Sequence, residues 1–137
     1  MAEVILTMIA RLEKILCVED EPDVRSVIQL ALRRVGKFNV MVCSNGPQAL
    51  LDGPAFDPDL MMIDVIMPSM SGPAFLEAAR EMPELASVPA IFLTGKTNPE
   101  DIARYNNAGA VGVIAKPFDV KGLSEEVLRI WNGLDSA

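Results

Sequence analysis

The sequence predicts an α/β fold, a five-stranded parallel sheet doubly wound by helices. From residue 14 onward, five short apolar runs alternate with five amphipathic stretches, as repeated βαβ units require. The runs are continuous rather than alternating, which fits strands buried on both faces. No linker, low-complexity segment or internal repeat beyond the βα alternation interrupts the 137 residues, a length suited to one domain.

The elements follow in order. KILCVED (14–20) is an apolar strand ending in acids. Residues 21–36 carry Pro22 in the first turn, apolar Val24, Val27, Ile28, Ala31, Leu32 and Val35 at helical spacing, and Gly36 as a stop. FNVMVC (38–43) reads as a strand and NGPQALL (45–51) as a short helix. DLMMID (59–64) is the third strand, followed by a helix over GPAFLEAARE (72–81). PAIFLTG (89–95) is the fourth strand, after which Asn98 caps a helix with Pro99 at its first position. AVGVIAKP (110–117) is the fifth strand, and DVKGLSEEVLRIWNG (119–133) the last helix.

Composition excludes several functions. Half the residues are hydrophobic and mean hydropathy is positive, so a generous core is expected. The 12 basic against 19 acidic residues leave a net charge of −7. That sign argues against direct binding of nucleic acid or an anionic membrane surface. Histidine is absent, which removes Ser-His-Asp hydrolysis, Cys-His chemistry and most zinc sites. Cys17 and Cys43 sit inside apolar runs and read as buried thiols in a reducing compartment. VILTMIA (4–10) is far shorter than the roughly 20 residues of a membrane span, and no Lys or Arg precedes it. A cytoplasmic location is therefore expected. Residues 1–13 read as an N-terminal extension, a short helix, or else a strand, packed on the domain or on a partner, and residues 14–134 as the domain itself.

In doubly wound sheets ligands bind beyond the carboxyl ends of the strands, where the strand order reverses. The first strand delivers Glu19 and Asp20 to that rim, with Glu21 just beyond; the third delivers Asp64, the fourth Thr94 and the fifth Lys116. Singly, each has a plainer role as a turn residue, helix cap or solvated loop side chain. Independent accidents would scatter over both ends of the sheet, whereas these gather at one. Clustered, partly desolvated carboxylates repel, and a hard divalent cation such as Mg²⁺ relieves that repulsion while keeping waters that phosphate oxygens can replace. A lysine and a threonine nearby could hold the remaining phosphoryl oxygens. Asp64 would then be a carboxylate nucleophile forming an acyl phosphate.

KILCVEDEP, PDLMMIDVIMPSMSG, PAIFLTG and GAVGVIAKPF together resemble, in order and spacing, the receiver domains of two-component response regulators. The resemblance spans about Lys14 to Asn132. It implies a flavodoxin-like sheet of order 2-1-3-4-5. It implies that Asp64 accepts a phosphoryl group from a phosphohistidine on a sensor histidine kinase or histidine phosphotransfer protein. Mg²⁺ (or Mn²⁺) would be held by Asp20, Asp64 and the main-chain carbonyl of Ile66, with Glu19 acting directly or through water. Thr94 and Lys116 would contact the phosphoryl oxygens, and the Lys116–Pro117 bond would be cis.

Four positions depart from the family pattern. Glu19 stands where Asp is frequent, Ser71 where Asp is common before Gly72, and Gly95 where a small Ala usually follows the Thr. Val113 occupies the position where many relatives carry a Tyr or Phe that swings inward with the Thr; without it, loop and helix shifts are left to carry the output. Ile66 and Lys96, two residues after Asp64 and Thr94, are expected to flank the phosphoryl group, and bulky Ile66 to hinder the hydrolytic water.

The expected function is a stand-alone phosphoacceptor without an output domain. It would catalyse its own phosphorylation and slow dephosphorylation, and would signal by binding an unidentified downstream protein or a second copy of itself. The alternative is a receiver-fold binding module that works without phosphorylation. A phosphatase of the haloacid dehalogenase type would need a second Asp where Ile66 stands. A nucleotide binder would need a Gly-rich loop where Glu19-Asp20-Glu21-Pro22 stands.

Overall fold

The computed structural model describes residues 11–134; the expected N-terminal helix or strand lies, up to residue 10, outside the described residues, and residues 11–13 form neither. Five parallel strands, β1 (Lys14–Val18), β2 (Asn39–Cys43), β3 (Leu60–Asp64), β4 (Ala90–Thr94) and β5 (Gly112–Ala115), pair in the order β2-β1-β3-β4-β5. The helices are α1 (Pro22–Gln29), α2 (Gly46–Phe56), α3 (Gly72–Arg80), α4 (Pro99–Asn107) and α5 (Val120–Leu134). This is the flavodoxin-like doubly wound sheet expected from the sequence.

The strands have apolar residues on both sides because both faces are covered. Ile15, Cys17, Leu60, Met62, Ile91, Leu93 and Ile114 cluster with Ile28 of α1 and with Leu123, Val127 and Ile130 of α5. Their alternates Leu16, Val18, Met61, Ile63 and Phe92 cluster with Ala49 of α2, Phe75, Leu76 and Ala79 of α3, and Tyr105 of α4. Cys17 and Cys43 are free, buried, and fall in opposite clusters. Burial raises the Cys17 thiol pKa far above its ordinary value, and that of Cys43 less. Ahead of β1, Leu12 packs against the α1/α5 cluster, and Asp59 accepts from the Glu13 and Lys14 amides.

Helix starts obey the local chemistry seen in the sequence. Asn45, Ser71 and Asn98 each accept a hydrogen bond from an amide of the following turn, and each is followed by a proline in the first turn. Two elements differ from expectation. The helix expected over residues 21–36 is α-helical only to Gln29 and continues as a π-turn from Leu30 to Val35. The Ala31 carbonyl there accepts both Gly36 N–H at 2.9 Å and, from α5, Ser124 Oγ at 2.7 Å. The short helix expected over 45–51 runs on through Gly53 and Pro54 to Phe56. Gly53 is buried, and a Cβ there would lie 2.9 Å from Leu16 Cδ2, so a close approach of α2 to β1 retains the residue that local propensity disfavours. Among the described residues, no helix is long and apolar enough to cross a membrane.

Candidate functional site

Strand β1 has β2 on one side and β3 on the other, so chain direction across the sheet reverses there. Beyond its end the backbone continues in register, with Glu19 N–H donating to Cys43 O at 3.0 Å. Register aligns Val18 with Ile63, Asp64 with Leu93, and Thr94 with Ala115; Lys116 N–H then donates to Thr94 O at 2.9 Å. Glu19, Asp64, Thr94 and Lys116 therefore end at one rim for a single geometric reason, the matched ends of four parallel strands.

The side chains meet there. Glu19 is fully buried, Asp64 4% exposed and Thr94 2% exposed. Lys116 Nζ lies 2.8 Å from Glu19 Oε1 and 3.2 Å from Asp64 Oδ1, linking the first and third strands through the fifth. The Glu19 contact is one of charge: Oε1 lacks an aligned hydrogen bond despite the short distance. The Lys116–Pro117 peptide is cis. Thr94 Oγ1 accepts from Lys96 N–H at 3.0 Å and lies 3.3 Å from the Tyr105 hydroxyl.

Burial pushes the Asp64 carboxyl up to about 7, helped by hydrogen bonding to Glu19 and Asp20 and by the Glu19 charge, and opposed by Lys116. Burial works against the Lys116 ammonium, yet Glu19 and Asp64 outweigh it and hold its pKa above the ordinary value. Too many acids thus share too little solvent, and one cation only partly offsets them.

The donor set suits a hard divalent cation. Carboxylate oxygens of Glu19, Asp20 and Glu21 can all lie within 4.8 Å of one another, which adds Glu21 to the acids expected from the sequence. Among the described residues, Asp20 Oδ1 is buried without a hydrogen-bond partner, a desolvated oxygen that a bound cation would satisfy. All-oxygen donors of this kind are those Mg²⁺ and Mn²⁺ prefer. Ile66 is expected to contribute its carbonyl; its N–H points back to Asp64 Oδ1 at 3.4 Å, and the residue is 64% exposed.

Three residues have parts at the site that the sequence did not show. Arg25 Nη1 donates to the carbonyls of Glu19 (3.0 Å) and Asp20 (2.8 Å), tying the acidic loop to α1. Its position five residues after Asp20 was the available signal. Gly72 donates its N–H to Val65 O at 2.8 Å, and a Cβ there would lie 2.6 Å from Asp64 O, so only glycine lets α3 start against the acid's own backbone. Tyr105 left no local signal beyond its apolar helical position.

Comparison with known proteins agrees with this geometry. Residues 15–128 match the family described as the response regulator receiver domain. The DNA-binding response regulator MtrA of Mycolicibacterium smegmatis is 32% identical over 115 residues, 84% of this chain and 49% of that protein. The chain thus spans about half the length of the curated relatives it matches. The chemotaxis protein CheY4 of Vibrio cholerae superposes with a TM-score of 0.80 at 29% identity, over 88% of this chain and 99% of that one. The receiver domain of a sensor histidine kinase from Pseudomonas aeruginosa PAO1, solved with a magnesium ion coordinated in its active site cleft, gives 0.76 at 28% identity, over 89% and 99%.

Proposed function

Since this chain belongs to the response regulator receiver domain family, we propose that it takes a phosphoryl group onto Asp64 from a phosphohistidine and signals the change by protein–protein contact. The donor is a sensor histidine kinase or a histidine phosphotransfer protein. What supports this above all is the buried Asp64 carboxylate, 3.2 Å from Lys116 Nζ and beside Glu19 and Asp20, each of which has a buried oxygen with no hydrogen-bond partner among the described residues. The chain's lack of histidine is consistent, because the partner brings it.

In the proposed step an Asp64 Oδ–P bond forms as the donor's P–N bond breaks. The electron pair of that bond returns to the imidazole nitrogen, which takes a proton from solvent. Lys116 Nζ, already between the acids, moves its charge contact to a phosphoryl oxygen, and the Thr94 hydroxyl donates to another. Bound through Glu19, Asp20, Asp64 and the Ile66 carbonyl, Mg²⁺ (or Mn²⁺) would neutralise charge on the transferring group. Arg25 holds the Glu19–Asp20 backbone in place throughout, and water later hydrolyses the acyl phosphate. The downstream partner is a protein rather than nucleic acid, given the −7 charge, and a second copy of the chain is one such partner.

The test is intact mass after incubation with a small acyl phosphate and Mg²⁺. One added phosphoryl group is expected, absent in Asp64→Asn and in a metal-free sample. No addition in the wild type would leave the phosphorylation-independent module standing, a reading that Val113 in place of an aromatic otherwise supports.

A further inference from the structure

Thr94 makes more contacts than a phosphoryl ligand needs. Its hydroxyl oxygen accepts from Lys96 N–H at 3.0 Å and faces the Tyr105 hydroxyl at 3.3 Å. A threonine hydroxyl has one proton and two lone pairs. With one lone pair given to Lys96, the pair with Tyr105 has two arrangements. Either Thr94 donates its proton to Tyr105, or Tyr105 donates to Thr94 and leaves the Thr94 proton free for the rim. Phosphoryl oxygens are strong acceptors, so a phosphorylated Asp64 selects the second arrangement.

We propose that Tyr105 is a positioning residue for Thr94, donating to Thr94 Oγ1 when Asp64 carries a phosphoryl group and accepting from it when Asp64 is free. The role presupposes Asp64 as phosphoacceptor and Thr94 as a phosphoryl contact. Donation by Tyr105 polarises the Thr94 O–H and strengthens its own donation to the phosphoryl oxygen. In the opposite arrangement the phenol O–H is free to turn towards a cleft of about 490 Å³ beside the ring, lined in part by Ile66, Ser71, Lys96 and Arg104. The state of the acid on β3 is then written on α4 as the direction of one hydrogen bond.

The ring is fixed well enough to do this. Tyr105 is 4% exposed and stands edge-on to Phe92, with centroids 5.6 Å apart at 78°. Val113, which pairs with Phe92 across β4 and β5, packs against the same apolar cluster. The only hydroxyl-bearing ring in the chain therefore reaches Thr94 from α4, while β5 offers valine.

Tyr105→Phe keeps the packing and deletes the hydroxyl. Its rate of phosphoryl uptake from acetyl phosphate with Mg²⁺ is expected to fall about two- to tenfold, the worth of one neutral hydrogen bond. In a Thr94→Ala background the same substitution is expected to change nothing. The single tyrosine also gives one resonance when labelled at Cζ, expected to move on phosphorylation of the wild type. An equal effect of Tyr105→Phe in both backgrounds, or a resonance unmoved in protein that intact mass shows to be phosphorylated, would overturn the role while leaving Asp64 as the acceptor. A wild type that takes no phosphoryl group would overturn both.

Discussion

Ile66 is 64% exposed beside a buried acid, two residues after Asp64. Scattered surface apolar residues are ordinary, but this one also lines the cleft next to the site. Replacing it by Asn exchanges a methyl-bearing wall for a group that can hydrogen-bond an attacking water. Ile66→Asn is expected to speed loss of the phosphoryl group within about tenfold, or roughly 1.4 kcal/mol in the barrier. The decay of the phosphorylated mass after donor removal measures it; an unchanged decay would show that Ile66 does not shield the acyl phosphate. Arg25 is the contrasting residue, polar and half-buried, whose worth lies wholly in the two carbonyls it holds.

Helices reach this site through their first turns. Ser71 caps α3 with its side chain, and Gly72 follows it into contact with Asp64 and Val65. A methyl group at 72 would meet backbone at 2.6 and 2.9 Å, atoms that cannot rotate away. Gly72→Ala is expected to destabilise the fold by about 1–3 kcal/mol, as overpacking does. It should also weaken Mg²⁺ binding, since the strained atoms are the backbone of Asp64 and Val65, which carries the acid. Urea unfolding and a calorimetric Mg²⁺ titration check the two halves; full retention of both would mean that the α3 start gives way without disturbing β3. Glycine in α2 is retained by a similar closeness, Gly53 against the Leu16 side chain.

Across the whole molecule, the site's charges are linked to stability. Asp64 titrates at about 7 when folded without metal, against an ordinary 3.8, so the folded state holds a proton that the unfolded chain has lost between those values. Stability from this group is complete below about pH 4 and is lost as pH rises towards 7. Metal-free wild type is therefore expected to lose stability relative to Asp64→Asn across that window, read as the difference between their melting temperatures. Mg²⁺ competes with the same proton, so its half-saturating concentration should rise as pH falls below about 7. At a hundred times its dissociation constant it would add about 2.7 kcal/mol. A difference between the two proteins that is flat in pH would mean that Asp64 is already ionised in the folded, metal-free state.

Much of this architecture was legible in the residues alone. Apolar runs and helical spacing are local records of which side of an element is buried, so they located five strands and the helices between them. Acids at the ends of β1 and β3, with Thr94 and Lys116 at the ends of β4 and β5, follow from the same record once the strands are parallel. The π-turn at Leu30–Val35 and the continuation of α2 through Pro54 were not legible, because they answer to Ser124 and Leu16 from distant parts of the chain. Nor were the grip of Arg25, the closeness of Gly72 and the pairing of Tyr105 with Thr94. Periodicity says which way a side chain faces, whereas the atom it meets there is decided by register and by how closely two elements approach. The sequence by itself determined the sheet, its helices and the acids at its rim; tertiary packing decided how those acids are held and which hydroxyl stands behind Thr94.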